Sequence, residues 1–261
     1  NRTSPFAFTG NKFEFRMVGS SQSIAGVNVA LNTIAAEALD EIATRLEKAK
    51  NKNAEAAAII KETYKKHNRV IFNGNNYSEA WEKEAEKRGL ANVRNSVDAL
   101  KAFITDKALK LFEKYEVLSH KELHSRYEIY IETYAKQVNI EALTAIDMAK
   151  KQIIPAAVEY ATFLAESISS FKAASVEASV QQDLLKKLGA LLASSYRNLT
   201  KLEAGVMKAK EVADYVKKAA TFRDEVVPTM QFLRSDIDAI EMLVPTDMWP
   251  MPTYADLLFK L

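Results

Sequence analysis

A leucine-rich seam in the second half of the chain restricts the fold more than any other feature of the sequence. Its apolar residues recur at alternating steps of three and four, which places them on one side of an α-helix. They are Leu185, Leu188, Leu192, Leu199, Leu202, Val206, Ala209, Ala213 and Val216, and Ser195 fills the one gap in the series. Antiparallel helices of a bundle, or a helical hairpin, bury seams of this kind. We therefore predict a mainly helical bundle with long antiparallel helices.

The composition agrees with a helical body. Only seven glycines occur in 261 residues, and four of them lie before residue 75. The absence of cysteine excludes disulfides, thiolate metal sites and cysteine nucleophiles. The formal net charge is +2, with acidic and basic residues intermixed, so we expect neither nucleic acid nor a membrane as a partner.

Residues 1–30 differ from the rest, because they are rich in Phe, Ser, Thr and Gly. Within them NKFEFRMV, residues 11–18, alternates as a strand does. One face of this predicted strand is apolar, and the other carries Lys12, Glu14 and Arg16 in the order cation, anion, cation. We therefore expect a short strand and a polar loop ahead of the helices.

Two interpretations of this charged face are open. In the first, Glu14 and its neighbours form a ladder of cross-strand ion pairs. In the second, Glu14 holds a divalent cation, which prefers carboxylate oxygen. Lys12, Arg16 and the nearby Arg2 would then hold phosphate or carboxylate oxygens, which guanidinium groups suit. Phosphoryl transfer needs such a mixture of metal and cationic groups.

A helical period replaces the strand pattern from Leu31 onward. The apolar residues of the first predicted helix share one face and are Leu31, Ile34, Ala35, Ala38, Leu39, Ile42 and Leu46. Two shorter helices are predicted next, one over residues 54–67 with Asn53 as its cap, and one from Ser78 to Gly89.

Later helix boundaries are marked by a capping box and by prolines. Ser119 and Glu122 have the spacing of a capping box and predict the start of a helix. Its apolar pattern continues to Ile168 with Pro155 inside it, so either one long helix kinks there or two helices meet. Pro228 interrupts the pattern again before a further helix.

The end of the chain, from about residue 244, is rich in proline and in large apolar residues. Three prolines within eight residues preclude helix there. Met248, Trp249 and Leu257 belong to a tail that is too apolar to be free in solvent. This tail belongs to the helical domain, residues 31–261, and we expect it to dock on the helices that precede it or on a neighbouring subunit.

Several long strings resemble type III glutamine synthetases. The first is NRTSPFAFTGNKFEFRMVGSSQSIAG followed by NVALNTIAAEALDEIATRLE, and later strings are FNGNNYSEAWEKEAEKRGL, ELHSRYEIYIETYAKQVNIEALT and the terminal WPMPTYADLLF. The resemblance covers nearly the whole chain and is densest at residues 1–49, 72–90, 117–165 and 244–259.

This resemblance implies an ATP-dependent ligase that joins ammonia to the γ-carboxylate of glutamate through γ-glutamyl phosphate, with Mg²⁺ or Mn²⁺. It also implies a homododecamer. Residues 1–30 then correspond to the end of the catalytic domain, a remnant of its sheet, and residues 31–261 to a helical C-terminal domain. The alternative is a helical oligomerisation or interaction module without a chemical role.

The resemblance assigns roles to four residues of the first segment. Arg2, in Asn1-Arg2-Thr3, matches an arginine that contacts the substrate and its transferring phosphate. In the element Glu14-Phe15-Arg16, Glu14 matches a metal ligand and Arg16 a substrate- or phosphate-binding arginine. Lys12 stands where arginine is common and matches a group that holds nucleotide phosphate. A lysine keeps that charge but lacks the planar fork.

Two further expectations concern the chain as a whole. Since residue 1 is Asn and patterned sequence begins at once, we expect a fragment, inactive by itself because one glutamate cannot hold a metal pair. No run of about 18 apolar residues and no signal peptide occurs, so we expect a cytoplasmic location.

His120 and His124 have a spacing that could hold a metal ion, or they are simply exposed histidines of a capped helix.

Overall fold

The computed structural model describes residues 6–8, 12–16, 19, 22–75 and 78–259. The strands within this part of the chain are β1 (Phe6–Phe8) and β2 (Phe13–Phe15). They pair antiparallel, with Phe6 opposite Phe15 and Phe8 opposite Phe13. The strand predicted within residues 11–18 is present over its central residues, Phe13–Phe15. Its partner β1 was not predicted, because three residues are too few to show alternation.

Helices make up most of the described chain, as predicted. In chain order they are α1 (Ala25–Lys48), α2 (Lys52–His67), α3 (Glu79–Lys87), α4 (Ser96–Ala99), α5 (Asp106–Lys114), α6 (His120–Met148), α7 (Ile154–Ala173), α8 (Ser179–Glu211), α9 (Tyr215–Thr221), α10 (Val227–Glu241) and α11 (Tyr254–Phe259). Short 3₁₀ turns lie at Asn68–Val70 and Leu100–Ile104, and π-helical turns at Ala149–Ile153 and Phe222–Val226. Of these described helices, none combines the length and the apolar character needed to cross a membrane.

The chain forms two compact units. The first comprises Asn1–Arg94 with Asp98–Tyr127, and the second comprises Asn95–Val97 with Glu128–Leu261. The boundary at Tyr127 falls inside α6. The strand pair and the helices α1 to α3 therefore belong to the same unit.

Ion pairs and a small apolar core hold the first unit together. The guanidinium of Arg45 on α1 contacts two carboxylates of α2, Glu55 at 2.6 Å and Glu62 at 2.7 Å. Leu109, Phe112 and Leu123 form a buried cluster, against which Ala30, Phe103 and Leu118 are packed. Since Ala30 belongs to α1, the first helix is fixed to the unit at its start by apolar packing and near its end by charge.

The first helix differs from its prediction in two respects. It begins at Ala25 and not at Leu31, because residues 25–30 lack the charged positions that would make an amphipathic period visible. In addition, the fold buries Thr33, while Ile34 and Leu39 of the predicted apolar face stay largely exposed. The sequence pattern thus predicted the helix and its apolar side, but it did not predict that Thr33 would be buried while Ile34 and Leu39 stay exposed.

Three predicted helix boundaries are settled by side-chain and backbone hydrogen bonds. The capping box of α6 is confirmed, since Glu122 accepts from the Ser119 amide at 2.8 Å and the Glu122 amide donates to the Ser119 hydroxyl at 3.3 Å. Gly89 ends the segment after α3 with a left-handed φ of 69°. For α2, Asn51 and not Asn53 is the cap, because its side chain accepts from the amide of Ala54 at 3.1 Å.

In the second unit, α8 packs against both α7 and α10. Its buried residues follow the predicted seam and are Leu188, Ser195, Leu199, Leu202, Val206 and Ala209. A short turn joins α7 to α8, so the two helices run antiparallel, as predicted. The seam ends earlier than predicted, at Glu211, because Asp214 caps a new helix by accepting from the Lys217 amide at 2.8 Å.

Neither internal proline breaks its helix. A π-helical turn precedes Pro155 and another precedes Pro228. In each, the residue just before the proline donates its amide to the carbonyl five residues earlier. A proline ring clashes with the carbonyl four residues before it in a regular α-helix, and the wider turn relieves that clash. Of the two alternatives predicted at Pro155, the structure therefore has one continuous helical path and not a break between two helices, and the bend of that helix at Pro155 stays a prediction.

The tail after Glu241 is irregular through its prolines, as predicted, and Val244 and Trp249 are buried within the second unit. A helix was not predicted beyond them, yet α11 follows the last proline. Thr253 and Asp256 form its capping box, with the Asp256 carboxylate accepting from the Thr253 amide at 2.8 Å. Docking of the tail on a neighbouring subunit stays a prediction.

Candidate functional site

Strand β2 gathers three of the four residues selected from the sequence. The Glu14 carboxylate lies 3.1 Å from the guanidinium of Arg16 and 3.7 Å from the ammonium of Lys12. Residues two apart on a strand point to the same side, so the charged face predicted from alternation is present. Arg2, the fourth residue, lies outside the described residues.

The two cations favour the ionised form of Glu14. The hydrogen bond from Arg16, assisted by the charges of Arg16 and Lys12, holds the pKa of the Glu14 carboxyl below its ordinary value. At neutral pH the three side chains therefore carry two positive charges and one negative charge, a net charge of +1. Such a group attracts an anion while presenting one carboxylate.

The ion pairs run along β2 and not across the sheet. The residue opposite Glu14 is Ala7, and β1 consists of Phe, Ala and Phe. Since β1 offers no charge, the interpretation as a cross-strand ladder is wrong for this strand pair. The pairs along β2 are solvent-accessible, so they contribute little to stability.

These residues do not by themselves fit a divalent metal site. Glu14 offers one carboxylate, and both of its neighbours are cations, which repel a metal ion. Within the described ranges, no cluster of three or more His, Asp or Glu side chains is placed to hold a metal. A metal bound at Glu14 would need its other ligands from outside this part of the chain.

The two histidines of α6 also form no metal centre with described residues. The imidazole of His120 lies 3.1 Å from the carboxylate of Glu113. Among the described residues, His120 and His124 are not part of any group of three or more side chains that could hold a metal ion. The arrangement is that of an exposed histidine beside an acidic residue in the first unit.

A second charged cluster in the first unit was missed from the sequence. The Lys114 ammonium donates to Glu37 at 2.6 Å and to Asp40 at 2.9 Å, and the Tyr115 hydroxyl reaches the same two oxygens at 2.6 and 2.9 Å. Hydrogen bonds from Lys114 and then Tyr115 lower the pKa of both carboxyls. Because the partners are more than 70 residues apart in sequence, no local pattern could have shown this clamp between α1 and α5.

The second unit contains a largely apolar cavity of about 330 Å³ between the end of α6, α10 and the tail. Three methionines line it, Met148, Met230 and Met251, and the Arg234–Asp238 pair lies at its wall. The described side chains that line this cavity do not form a recognisable catalytic or metal-binding group.

Comparison with known proteins connects this geometry with a family. Residues 55–172 match the glutamine synthetase C-terminal domain. Over 99% of its length the chain is 36% identical to the type-3 glutamine synthetase of Dictyostelium discoideum. It is also 34% identical to a glutamine synthetase of Butyrivibrio fibrisolvens and 31% identical to one of Bacteroides fragilis, over 100% and 99% of its length.

The chain spans little more than a third of these relatives. It covers 36% of the Dictyostelium protein, 38% of the Butyrivibrio protein and 37% of the Bacteroides protein. All three matches include the candidate site on β2, because they extend over essentially the whole chain. The domain match, in contrast, begins after α1, within α2.

Proposed function

We propose that this chain, which belongs to the glutamine synthetase family through its C-terminal domain, is the C-terminal region of an ATP-dependent glutamate–ammonia ligase. The reaction would form glutamine by way of γ-glutamyl phosphate. The observation that supports this most is the Lys12–Glu14–Arg16 group, a solvent-accessible mixture of charges in a chain that otherwise matches these ligases along its length.

In this proposal the two cations bind anionic oxygens. Arg16 is the better placed of the two for a bidentate contact, since its side chain is only 26% exposed and Glu14 restrains it. It would hold the glutamate substrate or the transferring phosphate, together with Arg2. Lys12, which is more exposed, would act as a point charge on the phosphates of ATP.

Glu14 would be one ligand of a Mg²⁺ or Mn²⁺ ion. When bound, such a metal neutralises phosphate charge during phosphoryl transfer. The remaining ligands would come from the part of the enzyme that the relatives have and this chain does not match. Glu14 meets the requirement that a metal ligand be deprotonated, since the hydrogen bond from Arg16 lowers the pKa of its carboxyl.

The proposal also covers the state of the protein. The chain alone would be inactive, since its described residues hold only a single carboxylate at the site. The intact enzyme would work in the cytoplasm as a homododecamer, with glutamate, ammonia and ATP as substrates. Assay of the isolated chain for ATP-dependent glutamine formation should give no product above the buffer control, and clear turnover would contradict this part.

Substitutions at Arg16 in the intact enzyme test the site. We expect Arg16→Ala to lower the rate of glutamine formation by about 100-fold or more, and Arg16→Lys to recover little of it, because lysine lacks the fork. Lys12→Arg should keep most of the activity, because the charge remains. A suitable control is Arg94→Ala, since Arg94 forms an exposed ion pair with Glu82 at 2.6 Å on another part of the same unit.

The result that would overturn the assignment is near-normal glutamine formation by Arg16→Ala with an unchanged melting temperature. Loss of activity in the Arg94→Ala control would show a general effect of removing surface charge and would count against the site equally.

A non-catalytic helical interaction module remains the second candidate, and one observation favours it. Large apolar side chains of α1 are exposed in this chain, among them Leu39 at 66%. Under this proposal the isolated chain self-associates. Sedimentation that shows only monomer at high protein concentration would contradict it.

A further inference from the structure

One dipeptide in the loop before α3 combines two residues that react with each other. Asn73 is followed by Gly74, and no other asparagine of the chain is followed by glycine. Glycine has no side chain to shield its backbone nitrogen, so this nitrogen can approach the side-chain amide of the asparagine before it. Three features of the surrounding loop favour that approach.

The first feature is that both residues are open to solvent. Asn73 and Gly74 are exposed in the fold. Within the described part of the chain, neither the side-chain amide of Asn73 nor the backbone amide of Gly74 takes part in a hydrogen bond. A buried or hydrogen-bonded amide would have to leave its partners before it could react. The described structure places no such barrier before this pair.

The second feature is that the chain is anchored on both sides of the pair. Before it, the ring of Phe72 stacks on Trp81 with 4.3 Å between the ring centroids, and the Arg88 guanidinium carbon lies 5.7 Å from the Trp81 centroid. After it, the carbonyl oxygen of Asn75 accepts a hydrogen bond from the Ser78 hydroxyl at 2.7 Å. The pair therefore lies in the open part of a loop whose ends are fixed.

The third feature is that the fold requires glycine at position 74. A Cβ atom at this position would lie 2.7 Å from Cε1 and 2.8 Å from Cζ of the Phe72 ring. Contacts this short force the neighbouring atoms to shift, and the Phe72 ring is held by its stacking on Trp81. The packing that anchors the loop thus also imposes the residue type that leaves Asn73 reactive.

We infer that Asn73 is a site of spontaneous deamidation, a modification that needs neither a cofactor nor a second protein. The backbone nitrogen of Gly74 attacks Cγ of Asn73 and forms a new N–Cγ bond. The bond from Cγ to the side-chain nitrogen breaks, and this nitrogen leaves as ammonia with the proton of the Gly74 amide. Water then opens the resulting succinimide ring at either of its carbonyl carbons, which yields aspartate or isoaspartate. The inference does not depend on the proposed function.

Deamidation changes the loop in two ways. Both products carry a carboxylate, so each lowers the formal net charge of +2 by one. Isoaspartate also redirects the main chain through the side-chain carbon and lengthens it by a carbon atom. The ion pairs between α1 and α2 and the buried cluster of the first unit do not include this loop. We therefore expect little change in the melting temperature of the intact enzyme.

Peptide mapping by mass spectrometry tests the inference after incubation of the intact enzyme at about pH 7 and about pH 9. The peptide that contains Asn73 should gain about 1 Da, because a hydroxyl replaces an amino group. A methyltransferase specific for isoaspartate should label the same peptide. The rate should rise with pH, since the attacking nitrogen must lose its proton.

Asn95 is the internal control in the same digest. It is also followed by a small residue, Ser96, but it has an interaction partner in the fold and directly precedes α4. Asn73 should deamidate at least about tenfold faster than Asn95, because glycine leaves the attacking nitrogen unshielded. In Asn73→Gln the longer side chain would have to close a larger ring, so this variant should not gain mass at position 73.

Four results would overturn the inference. They are no mass gain at Asn73 at either pH, equal rates at Asn73 and Asn95, a rate that does not rise with pH, and an undiminished mass gain in Asn73→Gln. Deamidation that occurs only after unfolding in urea would also contradict it, because the folded loop would then protect Asn73. None of these measurements uses glutamine formation, so they are decided separately from the assignment of Arg16.

Discussion

Strand β2 and helix α8 are held in place in opposite ways. β2 pairs with a three-residue strand, and its charged side chains reach solvent. α8 extends over 33 residues, packs against two helices and buries a continuous seam. The comparison teaches that the groups suited to chemistry and the groups that stabilise the chain are separate. Predictions that target one region should leave the other unchanged.

The largest effect on stability is expected from truncation of the seam. Leu202 is fully buried, so Leu202→Ala should lower the free energy of unfolding by about 2–5 kcal/mol. The control Leu39→Ala, on the uncovered side of α1, should change it by less than about 0.5 kcal/mol. Urea denaturation followed by circular dichroism measures both. Equal losses in the two variants would mean that α8 is not the stabilising element.

Ser195 offers a smaller test of the same seam, with the opposite sign. Its hydroxyl is fully buried and finds no hydrogen-bond partner among the described residues. Ser195→Ala removes that unsatisfied group and should stabilise the chain by about 1 kcal/mol. Ser170→Ala on the exposed side of α7 should be close to neutral. Destabilisation by Ser195→Ala would show that the hydroxyl has a favourable role in the packing.

The turn between α7 and α8 should also accept a stabilising substitution. Ser175 has a left-handed φ of 59°, and its amide donates to the Lys172 carbonyl at 3.0 Å. Because glycine adopts this conformation without strain, Ser175→Gly should raise the unfolding free energy by about 0.5–1 kcal/mol. Ser169→Gly within α7 should instead lower it by about 0.5 kcal/mol. A loss in both variants would exclude strain at the turn.

The smallest effect concerns the clamp on α1 and depends on pH. Lys114 lowers the pKa of Glu37 and Asp40 in the folded chain. Its contribution to the free energy of unfolding is therefore fully present above the ordinary pKa range of carboxyl groups, and it is lost as the pH falls below about 4 and the two carboxylates become protonated. Lys114→Met should therefore flatten the fall of stability with acid in that window. Lys110→Met, an exposed lysine of the same helix, should keep the original profile. Identical profiles in all three proteins would exclude the clamp.

Local signals explain what could be predicted. The capping box at Ser119 and the seam of α8 lie within a few turns of chain, so spacing alone identified them. The turn at Gly89 was equally local. The charged face of β2 followed from strand alternation. The arrangement of these three charges on one face was thus predictable before any coordinates.

What could not be predicted depends on partners distant in sequence. The clamp joins residues more than 70 positions apart, and the packing face of α1 depends on which neighbour reaches it. The π-helical turns before Pro155 and Pro228 depend on the packing that keeps each helix continuous. Proline alone predicts disruption and not its form. The roles of Arg2, Lys12, Glu14 and Arg16 came from resemblance and stay proposals.

The measurement closest to the central claim is glutamine formation by the intact enzyme that carries Glu14→Gln. Glutamine keeps the size of the side chain but removes the charge that the two cations hold in place. We predict a loss of about 100-fold or more in rate with an unchanged melting temperature, because the carboxylate is solvent-accessible and contributes little to stability. A rate within about twofold of the unaltered enzyme, with the fold intact, would contradict the assignment of β2 to the active site.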